Sequence, residues 1–125
     1  MKLDKDLVRK VLLAIEADET PPLGWIELTL EGYSTDLVSY HVEIMNEAGL
    51  IEGRDLTTHD GYQWAPTRLT YSGHEFLDSI RDNEIWKLTK EGAKKAGQAS
   101  IGFIWELAKA YGKQALKDRV GVDLG

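Results

Sequence analysis

The chain has 125 residues with 15 Lys and Arg, 21 Asp and Glu and no cysteine, which gives a formal net charge of −6 at pH 7. A chain of this length can bury enough surface to fold as one domain without covalent or metal staples. The lack of cysteine excludes disulfides, cysteine-based metal sites and a thiol nucleophile. No apolar run reaches the roughly 20 residues of a membrane span, and the charged first residues lack the apolar core of a signal peptide. We therefore expect a cytoplasmic protein with no membrane partner.

The charge is distributed unevenly along the chain. Residues 1–84 carry 7 basic and 17 acidic side chains, a net charge of −10, whereas residues 85–125 carry 8 basic and 4 acidic ones, a net charge of +4. An acidic segment repels nucleic acid, whereas a basic one can bind it or dock on an acidic surface. We therefore divide the chain into a domain of residues 1–84 and a C-terminal extension of residues 85–125, packed on that domain or on a second subunit.

Three elements are predicted in the first fifty residues. Asp4 is placed to cap a helix whose apolar residues between 7 and 15 recur at helical spacing, and which ends before Thr20-Pro21-Pro22. Residues 26–30 alternate apolar and polar side chains, as in a half-buried strand. Ser34 is placed to cap a second helix over residues 34–48, which Gly49 ends.

The next segment predicts a hairpin and a third helix. Residues 50–56 and 62–69 are short, β-favouring runs joined by a turn that contains glycine. Pro66 in the second run indicates an outer strand or a local break in the pairing. Thr70 is placed to cap a helix that extends towards Trp86.

The last part of the chain predicts a break followed by a long helix. Gly92 and Gly97 interrupt a stretch rich in lysine and alanine, and Ser100 begins the final helix. One side of that helix is apolar and the other carries Lys109, Lys113 and Lys117, the lysines spaced by four residues. Because the apolar side must be buried, we expect a homodimer through this helix. The lysines are either solvated or contact phosphate or an acidic partner.

The order of these elements outlines a winged helix. We predict an α+β fold: helix, strand, helix, two-stranded wing and helix, with a C-terminal helical extension. Residues 38–51, with the sequence VSYHVEIMNEAGLI, resemble the recognition helix and following strand of arsenical-repressor-type winged-helix regulators. Arg68-Leu69-Thr70, with Gly73 and Phe76, is similar to the end of the wing and the next helix of such regulators. The resemblance implies a winged-helix fold and, through those regulators, binding to DNA.

Over nearly its whole length the sequence also resembles a family of small bacterial and phage-borne proteins that carries a domain-of-unknown-function label. This resemblance implies a winged-helix-like fold and supplies no activity. The matching segments are Asp6-Leu7-Val8-Arg9-Lys10, Gly32-Tyr33-Ser34, Tyr40-His41-Val42, Ala48-Gly49-Leu50-Ile51, Trp64, Pro66-Thr67-Arg68-Leu69-Thr70 and Gly73-His74-Glu75-Phe76-Leu77-Asp78.

Two features depart from the pattern of a DNA-binding regulator. The helix that positions a recognition helix should lie between residues 20 and 33, but this segment alternates like a strand and contains two prolines. The helix predicted over residues 34–48 carries Asp36, Glu43 and Glu47 and no lysine or arginine. Phosphate contacts supply most of the non-specific affinity for DNA, and carboxylates oppose such contacts.

Candidate contact residues lie on the second helix, the wing and the final helix. On the second helix they face bases or a partner protein, and on the wing the arginines either reach a DNA groove or pair with neighbouring acids such as Glu52. The candidates are Ser39, Tyr40, Glu43, Arg54, His59, Arg68, Lys109, Lys113 and Lys117.

The sequence predicts no catalytic, cofactor or metal site. His41, His59 and His74 lack the spacing of metal ligands, and His41 borders the packed face of its helix, where we expect a hydrogen-bonded structural histidine. No nucleophile elbow, phosphate loop or dinucleotide fingerprint is found, and the isolated Gly73 indicates close packing or the geometry of a helix start.

Two functions remain open at this stage. The first is a DNA-binding or transcription-regulatory protein that contacts phosphate through its wing and basic tail. The second is a protein-interaction module, as in a bacterial or phage accessory protein, whose helix over residues 34–48 contacts another protein. Neither function requires catalysis.

Overall fold

The computed structural model describes residues 1–19, 24–97 and 100–121, which form five α-helices and one two-stranded antiparallel sheet. The predicted α+β class is confirmed. No helix in this part of the chain is long and apolar enough to cross a membrane. The elements are α1 (Lys5–Ala17), α2 (Thr35–Glu47), β1 (Ile51–Asp55), β2 (Trp64–Leu69), α3 (Tyr71–Ile80), α4 (Asn83–Ala96) and α5 (Ile101–Val120).

The chain divides into two compact units. Unit 1 comprises residues Met1–His74 and unit 2 comprises residues Glu75–Gly125, so the boundary falls inside α3. The boundary predicted between residues 84 and 85 marks a change of charge, and as a domain boundary it stays a prediction.

The first two helices begin where the sequence predicts. Asp4 Oδ1 accepts a hydrogen bond from the Leu7 amide, and Ser34 Oγ accepts one from the Leu37 amide, both at 3.1 Å. These bonds satisfy amides that a helix start leaves without a partner. The Thr20-Pro21-Pro22 segment predicted to follow α1 lies outside the described residues. The apolar faces are buried as expected: Leu7, Val8, Val11, Leu12 and Ile15 on α1, and Val38, Val42 and Met45 on α2.

Gly49 ends α2 and turns the chain directly into β1. It has a φ of 77°, the left-handed region that favours glycine. The Gly49 amide donates to the Asn46 carbonyl and the Leu50 amide to the Met45 carbonyl, the two bonds of a Schellman motif. Leu50 is thereby fixed as the buried residue from which the hairpin starts.

The predicted hairpin is confirmed, with a break at the proline. Ile51 pairs with Leu69 and Asp55 with Trp64, and the register shifts between Glu52 and Gly53. Gly53 faces Pro66, which has no amide to donate, so the irregularity falls where the sequence placed it.

Thr70 joins the end of the hairpin to α3. Its hydroxyl donates to the Gly49 carbonyl and accepts from the Gly73 amide, and its own amide donates to the Leu50 carbonyl. A Cβ added to Gly73 would lie 1.9 Å from the Leu50 carbonyl oxygen, so only glycine fits there. The predicted cap and the predicted close packing are both confirmed.

The strand predicted over residues 26–30 is absent from the structure. Ile26 is buried and Glu27 exposed, as the alternation implies, and the Ile26 amide donates to the Pro66 carbonyl at 2.7 Å, but residues 26–30 do not form a strand. The neighbouring strand β2 has few donors to offer, because Pro66 has no N–H and the Trp64 amide donates to Ser39 Oγ. A third strand therefore gains too few backbone hydrogen bonds to form.

Unit 2 contains a second correction. Trp86 does not lie on an extension of α3, because α3 ends at Ile80 and a new helix begins after Asp82. Asp82 Oδ1 accepts from the Glu84 and Ile85 amides at 2.9 and 3.1 Å, which caps α4. Gly97, with a φ of 69°, ends α4, whereas Gly92 lies inside it.

Helices α4 and α5 of unit 2 pack closely at Gly92. A Cβ at this position would lie 2.8 Å from the Tyr111 hydroxyl and 3.4 Å from a methyl group of Leu107. Arg119, near the end of α5, pairs with Asp82 at 3.0 Å and with Glu84 at 3.4 Å. Ser100 caps α5 by accepting from the Phe103 amide, as the sequence predicts.

Candidate functional site

The outward face of α2 is acidic. Asp36, Tyr40, Glu43 and Glu47 are spaced by four, three and four residues, so all four side chains project from one face of the helix. Asp36 and Glu47 are exposed, and Tyr40 and Glu43 are half-buried. We call these four residues the α2 stripe. It carries three carboxylates and no basic side chain.

Two buried polar residues of α2 hold the helix in unit 1. Ser39 is 2% exposed, and its hydroxyl accepts from the Trp64 amide at 3.1 Å. His41 is fully buried; its Nε2 accepts from the Asp4 amide at 2.8 Å and its Nδ1 lies 2.9 Å from the Leu37 carbonyl. The predicted structural histidine is confirmed, with Nδ1 protonated and donating. The Ser39 hydroxyl is engaged inside the unit, so it does not face solvent as the sequence prediction required.

The hairpin braces the middle of the α2 stripe. The Tyr62 hydroxyl donates to Glu43 Oε1 at 2.5 Å. Burial raises the pKa of the Tyr62 phenol well above its ordinary value, and the hydrogen bond to Glu43 and the charges of Glu43 and Asp55 raise it further. Tyr62 therefore remains a neutral donor at any physiological pH and fixes the Glu43 carboxylate in place.

Asp55 adds a further negative charge from the end of β1. The Thr57 amide donates to Asp55 Oδ1 at 2.9 Å, and the side-chain and backbone hydrogen bonds of Thr57 lower the pKa of this exposed carboxyl. Since Asp55 also acts on the Tyr62 phenol, its charge lies near the braced part of the α2 stripe. The strand end and the helix thus present charge of one sign.

The basic candidates on the hairpin differ in their availability. Arg68 is held by Glu52 through two hydrogen bonds, Nε to Oε2 at 3.1 Å and Nη2 to Oε1 at 2.7 Å, so it pairs with a neighbouring acid. Arg54 is exposed and forms no ion pair with any residue that the structure describes. His59 is exposed in the loop between the strands.

The three candidate lysines of α5 are also unequal. Lys109 pairs with Glu106 at 2.7 Å, and its ammonium lies 4.8 Å from the centre of the Trp105 ring. Lys113 and Lys117 are exposed and form no ion pair within residues 1–19, 24–97 and 100–121. They lie in unit 2, and the α2 stripe lies in unit 1.

The acidic groups do not form a metal site. Among the described residues no group of three or more His, Asp and Glu side chains is close enough to hold a metal ion. The α2 stripe instead spreads its charge over three turns of helix. Such an arrangement suits an extended positively charged surface.

Sequence reasoning missed the contribution of Tyr62. This residue lies 19 positions from Glu43, and the β-favouring run around it indicates only a strand. The residues of the stripe itself are readable from the sequence, because Asp36, Tyr40, Glu43 and Glu47 lie at helical spacing on the predicted helix.

The fold and this surface define a small α+β protein with a hairpin braced against an acidic helix. The chain belongs to the family described as "Hypothetical protein (DUF2513)", whose model matches residues 2–99. It is similar to an uncharacterized protein of Haemophilus influenzae, with 32% identity over 117 residues that cover 93% of this chain and 99% of that protein. No solved structure matches the chain. The predicted membership in a domain-of-unknown-function family is confirmed, whereas the resemblance to arsenical-repressor-type regulators stays a prediction.

Proposed function

We propose that this chain is a non-catalytic protein-interaction module in which a winged-helix-like unit 1 binds a positively charged segment of a partner protein through the α2 stripe. The observation that carries the proposal is the sign of the charge on α2. In a winged-helix protein that binds DNA, the helix in this position enters the major groove. Here its outward face holds Asp36, Glu43 and Glu47.

The braced geometry supports binding to a protein. Tyr62 fixes the Glu43 carboxylate, so less side-chain entropy is lost when a cation approaches it. Tyr40 adds an aromatic surface between Asp36 and Glu43, and aromatic side chains attract both apolar groups and cations. A lysine or arginine segment laid along α2 meets carboxylates at successive turns.

Binding to DNA through the wing and basic tail is the first function that the sequence analysis predicts, and it stays a prediction. Arg54, Lys113 and Lys117 are free to contact phosphate, whereas Arg68 and Lys109 already pair with Glu52 and Glu106. Three carboxylates on α2 repel the phosphate backbone. The charges of unit 1 therefore favour a protein partner, and DNA becomes an outcome of the test.

The test measures binding to a peptide of mixed lysine and arginine and, in parallel, to duplex DNA of mixed sequence, both by fluorescence anisotropy at low salt. We expect the peptide to bind and the DNA not to bind. The variant Asp36→Asn, Glu43→Gln, Glu47→Gln should lose about tenfold in peptide affinity, since an exposed pair contributes about 0.2–1 kcal/mol. Glutamine at position 43 keeps an oxygen that can accept from Tyr62.

A matched control removes three charges elsewhere. Glu19, Glu31 and Glu75 are exposed, and the variant Glu19→Gln, Glu31→Gln, Glu75→Gln has the same net charge as the stripe variant. Its peptide affinity should stay within about twofold of the unaltered chain, because screening weakens distant charges. Equal losses in the two variants, or binding of DNA without binding of peptide, would refute the proposal.

A further inference from the structure

The outward face of α4 is a second charged helix surface, and its charge is opposite in sign to that of the α2 stripe. Lys87, Lys90 and Lys94 are spaced by three and four residues and share one face, with Lys95 beside them and Glu91 as the one acid among them. We call the four lysines the α4 lysine face. The opposite side of the helix is buried and consists of Ile85, Trp86, Thr89 and Ala93.

Most of these lysines have no internal partner. Lys87, Lys94 and Lys95 are exposed and form no ion pair with any residue in the described part of the chain. Lys90 lies 5.6 Å from the centre of the Trp86 ring. The C-terminus of a helix favours cations, which accounts for Lys94 and Lys95 but not for Lys87 in the first half of α4.

We propose that the α4 lysine face is a docking surface for the α2 stripe of a second copy of this chain. The charges are complementary, three carboxylates on one helix and four ammonium groups on the other. The spacing also matches: Asp36 and Glu43 are seven residues apart, as are Lys87 and Lys94, which on two α-helices is about 10.5 Å in each case. The proposal rests on the proposed function, because it names one partner for the same stripe.

Apolar groups beside the charges add to the contact. Leu88 on α4 is 40% exposed and adjoins the α4 lysine face. On α2, Tyr40 and Ile44 are half-buried and lie next to the carboxylates. Exposed ion pairs alone contribute little, so these side chains supply the apolar area that helix association requires.

The test is sedimentation equilibrium of the full chain over a range of concentrations at low and high salt. We expect self-association that weakens at least about tenfold between about 50 mM and 500 mM salt, because the Debye length falls to a few ångströms. A charge-reversal experiment then assigns the surfaces. One variant carries Asp36→Lys and Glu47→Lys, and the other carries Lys87→Glu and Lys94→Glu; Glu43 is left in place so that Tyr62 keeps its acceptor.

Each variant alone should be monomeric, and an equimolar mixture of the two should associate again. Attraction between net charges does not account for such recovery, because both variants remain negatively charged at pH 7. A control with Glu19→Lys and Glu31→Lys changes the net charge by as much as the variant with Asp36→Lys and Glu47→Lys. This control should associate like the unaltered chain. Circular dichroism melts establish that every variant is folded.

Two results would contradict this inference and leave the proposed function valid. One is a chain that stays monomeric at low salt while its α2 stripe still binds the basic peptide. The other is self-association that persists in both reversed variants, as expected for a homodimer through α5. If neither self-association nor peptide binding is found, the inference and the proposed function both fail.

Discussion

The two units hold their elements together by different interactions. In unit 1, side chains of α2 accept hydrogen bonds from backbone amides that lie outside the helix. These bonds are Asp4 amide to His41, Gly53 amide to Asn46 and Trp64 amide to Ser39. Each bond holds one backbone nitrogen about 3 Å from a side-chain atom of α2. Because a hydrogen bond also constrains the angle at the donor, these bonds fix the orientation of the backbone as well as its distance from the helix.

In unit 2, the helices are joined mainly by packing. Gly92 lies against the side chains of Leu107 and Tyr111, and Phe76 lies 5.8 Å from Trp105 between ring centres. Among the described residues, Arg119 on α5 also forms exposed ion pairs with Asp82 and Glu84 at the start of α4. Side chains can shift where a backbone cannot, so we expect unit 2 to tolerate substitutions that unit 1 does not.

The strongest test of this difference is Gly73→Ala. The added methyl group would meet the Leu50 carbonyl oxygen at 1.9 Å. The backbone at Gly73 and at Leu50 cannot move apart easily, because the Gly73 amide and the Leu50 carbonyl are both hydrogen-bonded to Thr70. We expect a loss of about 4 kcal/mol or more in the free energy of unfolding, measured by urea denaturation. Gly112→Ala is the control, because nothing lies within 4 Å of its added Cβ in α5, and it should stabilise by about 0.5–1 kcal/mol.

A smaller loss in unit 1 is expected for His41→Ala. The substitution leaves the Asp4 amide without its acceptor and opens a cavity where a fully buried ring packed. We expect a loss of about 2–3 kcal/mol in thermal or chemical unfolding. His59→Ala, in the exposed hairpin loop, should change stability by less than about 0.5 kcal/mol. Similar effects at the two positions would contradict the role of His41 as a bond between α1 and α2.

For unit 2, Gly92→Ala measures how far packing can adjust. The clash at 2.8 Å is with the end of the Tyr111 side chain, and alanine improves helix propensity by about 1 kcal/mol. We therefore expect a net change within about 1 kcal/mol. In a Tyr111→Phe background the nearest atom is gone, and Gly92→Ala should become stabilising. If it stays strongly destabilising there, the contact between α4 and α5 is as rigid as those of unit 1.

The smallest effect is expected at Asp82 and depends on pH. The hydrogen bond from the Ile85 amide, followed by that from Arg119, lowers the pKa of this carboxyl below its usual value of 3.8. The folded state thus prefers the ionised form, so the stabilisation is present above about pH 4 and is lost as the pH falls through the lowered pKa. The melting temperature should therefore fall on acidification to pH 3 by less in Asp82→Asn, which caps α4 without titrating. Identical pH profiles would show that the cap is not charge-dependent.

The local part of the fold could be predicted from the sequence. Helix starts at Asp4, Ser34 and Ser100, the stop at Gly49 and the two runs of the hairpin are signals carried by a few adjacent residues. These predictions are confirmed because caps and turns are satisfied within the segment itself. Long-range bonds do not override them here.

The missing third strand depended on partners elsewhere in the chain. Alternation at residues 26–30 correctly indicates which side chains are buried, but a strand also needs a neighbour with free backbone groups. The Trp64 amide already donates to the Ser39 hydroxyl, and Pro66 has no backbone N–H to donate. The serine was assigned to a ligand surface because its helical position alone does not reveal this bond.

The start of α4 was missed although a local signal exists. Asp82 followed by Glu84 is a typical helix N-terminus, but the apolar spacing from Phe76 to Trp86 suggested one continuous helix. The Glu43 and Tyr62 pair had no such signal, since the residues meet only after the hairpin has packed on α2. The residues of the α2 stripe could therefore be predicted from helical spacing, whereas the hydrogen bond from Tyr62 to Glu43 could not.

The bonds of Thr70 have a consequence for how the chain can vary in length. This one residue links the end of α2, the start of β1 and the start of α3, so an inserted residue on either side of the hairpin base would separate groups that must meet. The loop between the strands is exposed and carries no comparable link across the unit. Length variation, and any engineered tag or peptide graft, should be accepted at residues 58–60 and rejected at residues 48–50 or 70–73.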